Sequence, residues 1–286
     1  MNEHHHAAGS LSNGPLAVDL GHERAGWAYS SLRVAQLDPG DTYDFETGDD
    51  EVIILPLSGS CTVACESETH RLAGRSGVFD AVSDFAYAPI GSIVRIESGA
   101  GGRFALCGAR ATRRLPFRYV PASDVEVELR GAGQCSRQVV NFATPDNFEA
   151  DRIIAVEVLT PAGNWSSFPP HKHDEQSERE TQLEEIYYFE VADGPDGPGV
   201  GYQRVYGTPE RPIEVLAEVR TGDVVTIPHG WHGPSMSTPG YHLYYLNVMA
   251  GPERDWRICD DPAHGWVRGT WDDQPIDPRL PLTAGG

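Results

Sequence analysis

The sequence predicts an all-β protein that contains two antiparallel β-sandwich or barrel domains. Three observations carry this prediction. Short β-prone segments recur at regular spacing, turn residues are abundant with 31 glycines and 22 prolines, and no convincing helical period appears. A chain of 286 residues is long enough to build two such domains, each with its own core.

The first series of predicted strands lies between residue 25 and about residue 120. A linker-like region, 113–133, follows and contains the alternating acidic run 124–129. We therefore expect a first barrel at 25–130, preceded by a flexible segment at 1–24 whose histidines receive no function. The predicted strands of this half are 52–59, 61–65, 69–72, 77–79, 85–89, 92–96 and 103–107.

The second half repeats this rhythm. In both halves a glycine-led strand runs to a proline, from Gly77 towards Pro89 and from Gly222 to Pro228. This repetition indicates an ancient duplication. We expect a second barrel at 131–286 that ends in an irregular tail. Its predicted strands are 152–159, 185–191, 201–206, 213–219, 223–227 and 241–249.

Charge and composition limit the function classes. Lysine and arginine total 22 against 42 aspartate and glutamate residues, a net charge of −20. So acidic a chain repels nucleic acid and anionic membranes, which argues against either as a partner. No signal peptide or membrane-length apolar run is evident, and the five cysteines include no CxxC pair. We expect a cytoplasmic protein with reduced thiols.

A candidate metal site follows the Pro-Pro pair at 169–170. His171 and His173 are one residue apart, so in a strand they share a face and can bind one ion. Glu185 opens the next strand, and His232 ends the turn that begins at Pro228. Three imidazoles and one carboxylate suit Zn, Mn, Fe, Co or Ni and leave positions for substrate; the sequence does not choose among these metals.

The neighbouring residues suggest acid/base groups. Glu184 and Glu185 point to opposite faces of a strand, and their roles exchange if the strand begins one residue later; we prefer Glu185 as the ligand. Tyr187 shares the face of Glu185, and Asp174 begins the acidic insert after the histidines. We therefore take Glu184, Tyr187 and Asp174 as catalytic candidates. The first half offers only the lone His70 between residues 22 and 171, so we expect that barrel to be structural and without metal.

These motifs resemble the paired metal motifs of the cupin superfamily, and the two halves resemble a bicupin of two jelly-roll barrels. Two features differ from an ordinary cupin: eleven residues lie between His173 and Glu185, and the second motif is one residue shorter between its glycine and its histidine. Both differences occur in the 5-deoxy-glucuronate isomerase family of bacterial myo-inositol catabolism. The segments that closely resemble this family are GNWSSFPPHKHDE, LEEIYYF, IPHGWHGP and PGYHLYYLNVMAGP.

The resemblance implies a metal-dependent aldose–ketose isomerisation of 5-deoxy-D-glucuronate to 5-dehydro-2-deoxy-D-gluconate. A divalent metal would act as a Lewis acid and stabilise the enediolate. The resemblance also implies a small-molecule uronate as substrate, and we expect a homo-oligomer. A cation should meet the uronate carboxylate, and no spacing selects among the candidates Arg152, Arg204, Arg254 and Arg257.

Three alternatives use the same residues. A metal-dependent dioxygenase would consume oxygen with Fe(II), and a non-catalytic sugar-acid-binding bicupin would show no turnover. The uronate isomerases of pectin breakdown have a shorter gap between the histidines and the glutamate. The long insert 174–184 favours the inositol enzyme, and we expect substrate selection to involve it.

Overall fold

The computed structural model describes residues 3–283, and within them the protein is predominantly β, which confirms the predicted class. One short α-helix, α1, spans His22–Ala25, and 3-10 turns lie at Ala122–Asp124, Gly133–Cys135 and Gly265–Asp273. The strands are β1 His5–His6, β2 Leu16–Leu20, β3 Ser30–Leu37, β4 Thr42–Glu46, β5 Asp50–Cys65, β6 Glu68–Arg75, β7 Phe85–Ala88, β8 Ile93–Glu97, β9 Gly102–Arg110, β10 Arg118–Val120, β11 Glu126–Arg130, β12 Arg137–Ala143, β13 Ile154–Thr160, β14 Trp165–Ser166, β15 His171–Lys172, β16 Glu184–Val191, β17 Gly201–Tyr206, β18 Glu214–Val219, β19 Val224–Ile227, β20 Trp231–Ser237, β21 Leu243–Ala250 and β22 Cys259–Asp260.

The strands form three antiparallel sheets. Strands β2 to β10 make the first barrel, along the order β10-β7-β5-β9-β3-β2, and β4, β6 and β8 complete it. The second barrel has two sheets, β1-β19-β16-β21-β13-β12-β11 and β18-β17-β20-β15-β22, with β14 paired to β20. No helix of residues 3–283 is both long enough and apolar enough to cross a membrane.

The two barrels repeat one strand order, which supports the inferred duplication. The order β7-β5-β9-β3-β2 in the first corresponds to β19-β16-β21-β13-β12 in the second. The registers correspond as well: Val52 pairs with Ala88 directly before a proline, and Glu185 pairs with Ile227 directly before a proline. Val52 of β5 and Glu185 of β16 therefore occupy equivalent positions, and each is preceded by a glutamate.

The largest apolar core lies between the two barrels. It combines Ile53 and Leu55 of β5 with Ile186 and Tyr188 of β16, all of them buried. Alternate residues of the same strands face the interior of their own barrel instead, because side chains along a strand point to opposite faces. Each central strand therefore contributes one face to the shared core and the other to its own barrel.

Two glutamates connect the barrels in a reciprocal way. The fully buried Glu51, at the start of β5, accepts hydrogen bonds from the backbone N–H groups of residues 151–153 at 2.9, 2.6 and 2.7 Å. Glu184, at the start of β16, accepts three such bonds from residues 28–30 at 2.8, 2.7 and 2.9 Å. In each case the glutamate of one barrel binds the chain just before or at the start of a strand of the other.

Several segments differ from the expectation. The segment expected to be flexible contains β1, which pairs with β19, and β2, which pairs with β3. Both strands cover sheet edges whose backbone groups would otherwise be unpaired. Residues 1–2 lie outside the described chain. The expected linker contains β10 and β11, and β11 pairs with β12 of the second barrel. The predicted strands 52–59 and 61–65 are one continuous strand, and 77–79 lies in a turn rather than a strand.

Candidate metal centre

Three histidines of the second barrel come together on neighbouring strands. His171 of β15 lies directly opposite His232 of β20, and their ring centroids are 4.4 Å apart. The ring of His173, just after β15, is centred 4.7 Å from that of His232. One nitrogen from each of the three lies within 4.8 Å of the others. This is the one such group found among residues 3–283.

Glu185 completes the cluster. The residue is 2% exposed, and its Oε2 lies 3.1 Å from Nε2 of His173 and 3.0 Å from Nε2 of His232. Its Oε1 accepts a hydrogen bond from the side-chain amide of Asn247. The structure thus brings together the four residues that the sequence suggested as metal ligands.

The pKa shifts of His171 and Glu185 suit a divalent cation, whereas that of His173 is governed by its contact with Glu185. Burial, together with His232 and His173, lowers the pKa of His171 well below its usual value, so its imidazole is neutral with a free lone pair. Burial opposes ionisation of Glu185, but His232 and His173 outweigh it and hold its pKa far below the usual range. Burial likewise opposes protonation of His173, whose pKa is raised because its hydrogen bond to Glu185 prevails.

The orientation of His232 also fits a metal ligand. Its Nδ1 lies 3.2 Å from the carbonyl oxygen of Gly230, which can only accept, so Nδ1 carries the proton. Nε2 is buried and makes no hydrogen bond within the described chain, despite its closeness to Glu185. A cation between this nitrogen, the carboxylate of Glu185 and the other two imidazoles would satisfy all four groups.

Asp174 supports the cluster from outside. Its Oδ2 accepts the backbone N–H of Gly230 at 2.8 Å, and its Oδ1 accepts Lys172 Nζ at 2.7 Å. Burial opposes ionisation of Asp174, but Lys172 and the Gly230 N–H hold its pKa below the usual range. Asp174 therefore joins the histidine segment to the turn that carries His232, and it does not line the cavity.

The other two catalytic candidates lie on opposite faces of β16. Glu184 faces the first barrel, where residues 28–30 bind it, and it does not line the cavity. Tyr187 lines the cavity, stacks on Tyr245 at 4.9 Å and has its hydroxyl 3.2 Å from Ser167 Oγ. Burial and the charge of Glu185 raise the pKa of Tyr187 well above its usual value.

A cavity of about 270 Å³ opens beside the cluster. This is slightly below the range of about 300–1,000 Å³ typical of sites for drug-sized ligands, so it suits a small molecule. The lining combines polar groups near the histidines with apolar walls and three arginines. The lining residues are Arg130, Arg137, Val139, Val156, Val158, Ser167, His171, Glu185, Tyr187, Tyr245, Asn247, Trp256, Ile258 and Arg268.

The arginines of the cavity differ from those suggested by the sequence. Arg152 lies beside Asp151, Arg204 lies over the ring of Tyr206, and Arg257 pairs with Asp255. The guanidinium of Arg254 donates to backbone carbonyls at positions 143, 144 and 153. None of these four lines the cavity. Arg137 lines the cavity but was not among the predicted arginines, because an arginine at the start of an apolar strand has no distinguishing sequence signal.

The first barrel has a different interior. Its lone histidine, His70, packs against the rings of Phe117 and Tyr119, with centroids 5.1 and 5.7 Å away. The positions around the barrel axis carry apolar side chains such as Val52, Ile54 and others of one cluster.

Comparison with known proteins identifies the family. The sequence profile of the KduI/IolB family matches residues 4–267. The chain belongs to this family. Over 250 residues it is 41% identical to the 5-deoxy-glucuronate isomerase of Geobacillus kaustophilus, which covers 86% of this chain and 88% of that protein. It is 37% identical over 264 residues to the 5-deoxy-glucuronate isomerase of Bacillus subtilis, with coverages of 90% and 94%.

Solved structures agree on the fold. An IolB-like protein from Salmonella typhimurium superposes with a TM-score of 0.85 at 32% identity and covers 92% of this chain and 98% of that one. The oxalate decarboxylase of Lactobacillus farciminis gives a TM-score of 0.62 at 12% identity, with coverages of 90% and 88%. The second likeness concerns the fold alone, and it shows that the two barrels form a bicupin.

Proposed function

We propose that the protein is a metal-dependent aldose–ketose isomerase that converts 5-deoxy-D-glucuronate to 5-dehydro-2-deoxy-D-gluconate in myo-inositol catabolism. The observation that carries this proposal is the identity of 36–41% over most of the chain to proteins named 5-deoxy-glucuronate isomerase. The cluster of three imidazoles and one carboxylate beside a small cavity supports the chemistry.

His171, His173, Glu185 and His232 are the proposed ligands of a divalent ion. When bound, the ion would supply Lewis acidity that stabilises the negative charge of the substrate oxygens while a hydrogen moves between C1 and C2. Asn247 fixes the carboxylate of Glu185 through one oxygen and leaves the other directed at the histidines.

Tyr187 is the proposed proton donor of the cavity. Because its pKa is raised, the phenol stays protonated at neutral pH and donates rather than accepts a proton. Its hydroxyl belongs to a chain with Ser167 and Tyr245, whose oxygens are separated by 3.2 and 3.1 Å. This chain holds the proton close to substrate oxygens that gain negative charge.

The two barrels have different roles in this proposal. The first barrel is structural and carries no metal, and the second carries the reaction. Sheet membership assigns β11 to the second barrel, so we propose a boundary between β10 and β11 instead of at residue 130. Exposed apolar side chains at Leu216 and Trp266 support a homo-oligomer, and the proposed pathway supports a cytoplasmic location.

The direct test is an NMR assay of 5-deoxy-D-glucuronate with the protein as purified, after chelation, and after addition of Mn, Zn, Fe, Co or Ni. We expect conversion that chelation abolishes and that one or more of these metals restores. The metal that restores the highest rate identifies the preferred ion. Absence of metal-dependent conversion would refute the proposal.

A further inference from the structure

Arg137 is a buried cation without a carboxylate partner. The residue is 6% exposed, and no Asp or Glu of residues 3–283 forms an ion pair with it. Its one side-chain hydrogen bond within those residues runs from Nη1 to the carbonyl oxygen of Cys135 at 2.9 Å. Its guanidinium carbon lies 5.3 Å from the ring centre of Trp271. Since a guanidinium has five N–H groups, most of its donors remain available to a ligand.

The other arginines of the cavity are neutralised. Arg130 forms two hydrogen bonds to Glu128, at 2.9 and 2.6 Å. Arg268 forms two to Asp260. Arg137 is the cross-strand neighbour of Arg130. The three arginines line the cavity together with only two paired carboxylates between them, so this part of the lining carries an excess of positive charge.

A buried charge without an ion-pair partner is costly, and such groups concentrate at functional sites. Burial lowers the pKa of Arg137 to about 10; Tyr245 opposes this shift, and Arg130 and Arg268 add to it. The group still carries its charge at neutral pH. An anion that enters the cavity would therefore meet a desolvated cation with free donors.

The position of Arg137 suits the far end of a substrate. It opens β12, which is separated from β16 and its Glu185 by β21 and β13. Arg137 and Glu185 start from opposite ends of their strands, because Arg137 lies near the level of Val191, six residues along β16 from Glu185. Both side chains line the same cavity, so the long side chain of Arg137 extends into it. The wall between them carries Val139, Val156 and Val158, followed by Tyr245 and Asn247 of β21.

We propose that Arg137 binds the carboxylate of the sugar acid and sets the preference of the site for uronates over neutral aldoses. This inference rests on the proposed function of the same cavity. In it, the histidine centre receives the aldehyde end, and the guanidinium receives the acid end at the opposite terminus of the carbon chain. The planar fork of arginine matches a carboxylate in two parallel hydrogen bonds.

The test compares an acid with its uncharged isostere. Turnover of 5-deoxy-D-glucuronate and of the corresponding amide is measured with metal-loaded wild type, Arg137→Met and Arg137→Lys. We expect kcat/KM for the acid to fall on the order of 10²-fold in Arg137→Met, and that for the amide to change little. Arg137→Lys keeps the charge but not the fork, so it should recover part of the loss, chiefly through KM.

Arg204→Met is the matched control, because Arg204 is exposed on β17 and lies over Tyr206 outside the cavity. It should leave both rates unchanged. Metal content and the unfolding midpoint are measured for every variant, so that loss of the ion or of the fold is recognised. An equal fall for acid and amide in a folded, metal-loaded Arg137→Met protein would overturn the inference.

Equilibrium binding separates this inference from the proposed function. Calorimetric titration of the metal-loaded protein uses D-glucuronate and D-glucuronamide as probes. We expect Arg137→Met to weaken binding of the acid on the order of 10²-fold and to spare the amide. Arg137-dependent binding without turnover of 5-deoxy-D-glucuronate by wild type would refute the isomerase and uphold the inference. Turnover of 5-deoxy-D-glucuronate by wild type, together with binding of the acid that does not depend on Arg137, would uphold the isomerase and refute the inference.

Discussion

The first and second barrels place different residues at equivalent positions of their central strands. In the first, Val52 and Ile54 of β5 face a barrel interior that is filled by apolar side chains. In the second, Glu185 and Tyr187 of β16 face an interior that contains histidines and a cavity. The faces turned towards the shared core stay alike, with Ile53 in one barrel and Ile186 in the other.

This difference shows which constraints the two barrels share. Both need the glutamate that begins the central strand, because Glu51 and Glu184 each bind three backbone N–H groups of the other barrel. Only the second needs a carboxylate at the next position. The contact between the barrels therefore constrains one face of the strand, and the proposed metal site constrains the other.

The largest effect is expected when the second barrel is made like the first. Glu185→Val removes the carboxylate ligand, and we expect loss of bound metal and a fall in kcat/KM of about 10³-fold or more, since a metal ion contributes several kcal/mol of charge stabilisation. Metal analysis and the NMR assay measure both. A variant with full metal occupancy would contradict the ligand set.

His173→Ala tests the same centre from another ligand and should also remove the metal while the first barrel stays folded. His70→Ala is its control in the first barrel, since His70 contacts Phe117 and Tyr119 rather than the cluster. The control should retain metal and activity. Equal metal loss in both variants would show that the effect is not local to the second barrel.

The reverse exchange should damage stability rather than chemistry. Val52→Glu buries a carboxylate in an apolar interior without histidines, and we expect a loss of about 3–5 kcal/mol in the free energy of unfolding. Burial raises the pKa of such a carboxyl group, so the destabilisation should grow as pH rises through that pKa. Denaturant unfolding at pH 5 and pH 8 measures it.

Ile93→Glu is the control for that exchange, because Ile93 is 69% exposed in the same barrel. It should change the unfolding free energy little at either pH. If Val52→Glu is tolerated equally well, the interior of the first barrel is wetter than its packing indicates.

A smaller loss of stability is expected from the two glutamates between the barrels. Glu51→Gln and Glu184→Gln replace an acceptor-only group with one that carries N–H donors, so each should cost about 1–3 kcal/mol. The cost should be larger for Glu51, which is fully buried and also accepts the Tyr87 hydroxyl at 2.7 Å. Unfolding with chelator present excludes a contribution from the metal.

Glu184→Gln should retain bound metal, in contrast to the substitution of its neighbour Glu185. Metal loss from Glu184→Gln equal to that from Glu185→Val would mean that Glu184 acts in the centre after all.

The smallest effect concerns Asp174. Asp174→Asn weakens the link between the histidine segment and Gly230, so the imidazole of His232 is less firmly oriented. We expect the dissociation constant of the metal to rise about 10-fold, as for other residues that orient ligands. Competition with a chromophoric chelator measures it. No change would mean that the turn holds its shape without Asp174.

Strand alternation was sufficient to predict that most residues of the candidate metal cluster come together. It placed His171 and His173 together and separated Glu185 from Glu184, since both follow from a period of two residues. It did not identify the role of Glu184, because the groups that Glu184 binds lie 154–156 residues away in sequence. Contacts between distant segments leave no periodic signal.

The same reason explains the other differences. The composition of the N-terminal segment predicts flexibility, yet His5 pairs with Val225 at the edge of a sheet of the second barrel. Arg137 lies in the cavity because β12 curves to it beside β13, which no local spacing reveals. The four arginines suggested by the sequence contact carbonyl oxygens, carboxylates or an aromatic ring outside the cavity instead. They are Arg152, Arg204, Arg254 and Arg257.

The adjacent glutamates at the start of β16 have an evolutionary consequence. Under the inferred duplication and the proposed roles, only the second copy keeps the reaction, yet neither copy can be lost, because Glu184 needs the chain at 28–30 and Glu51 needs the chain at 151–153. The second barrel therefore depends on the first for its structure, whatever the first has lost in chemistry. Relatives reduced to a single barrel would have to replace both the shared core and the partner of Glu184 at once.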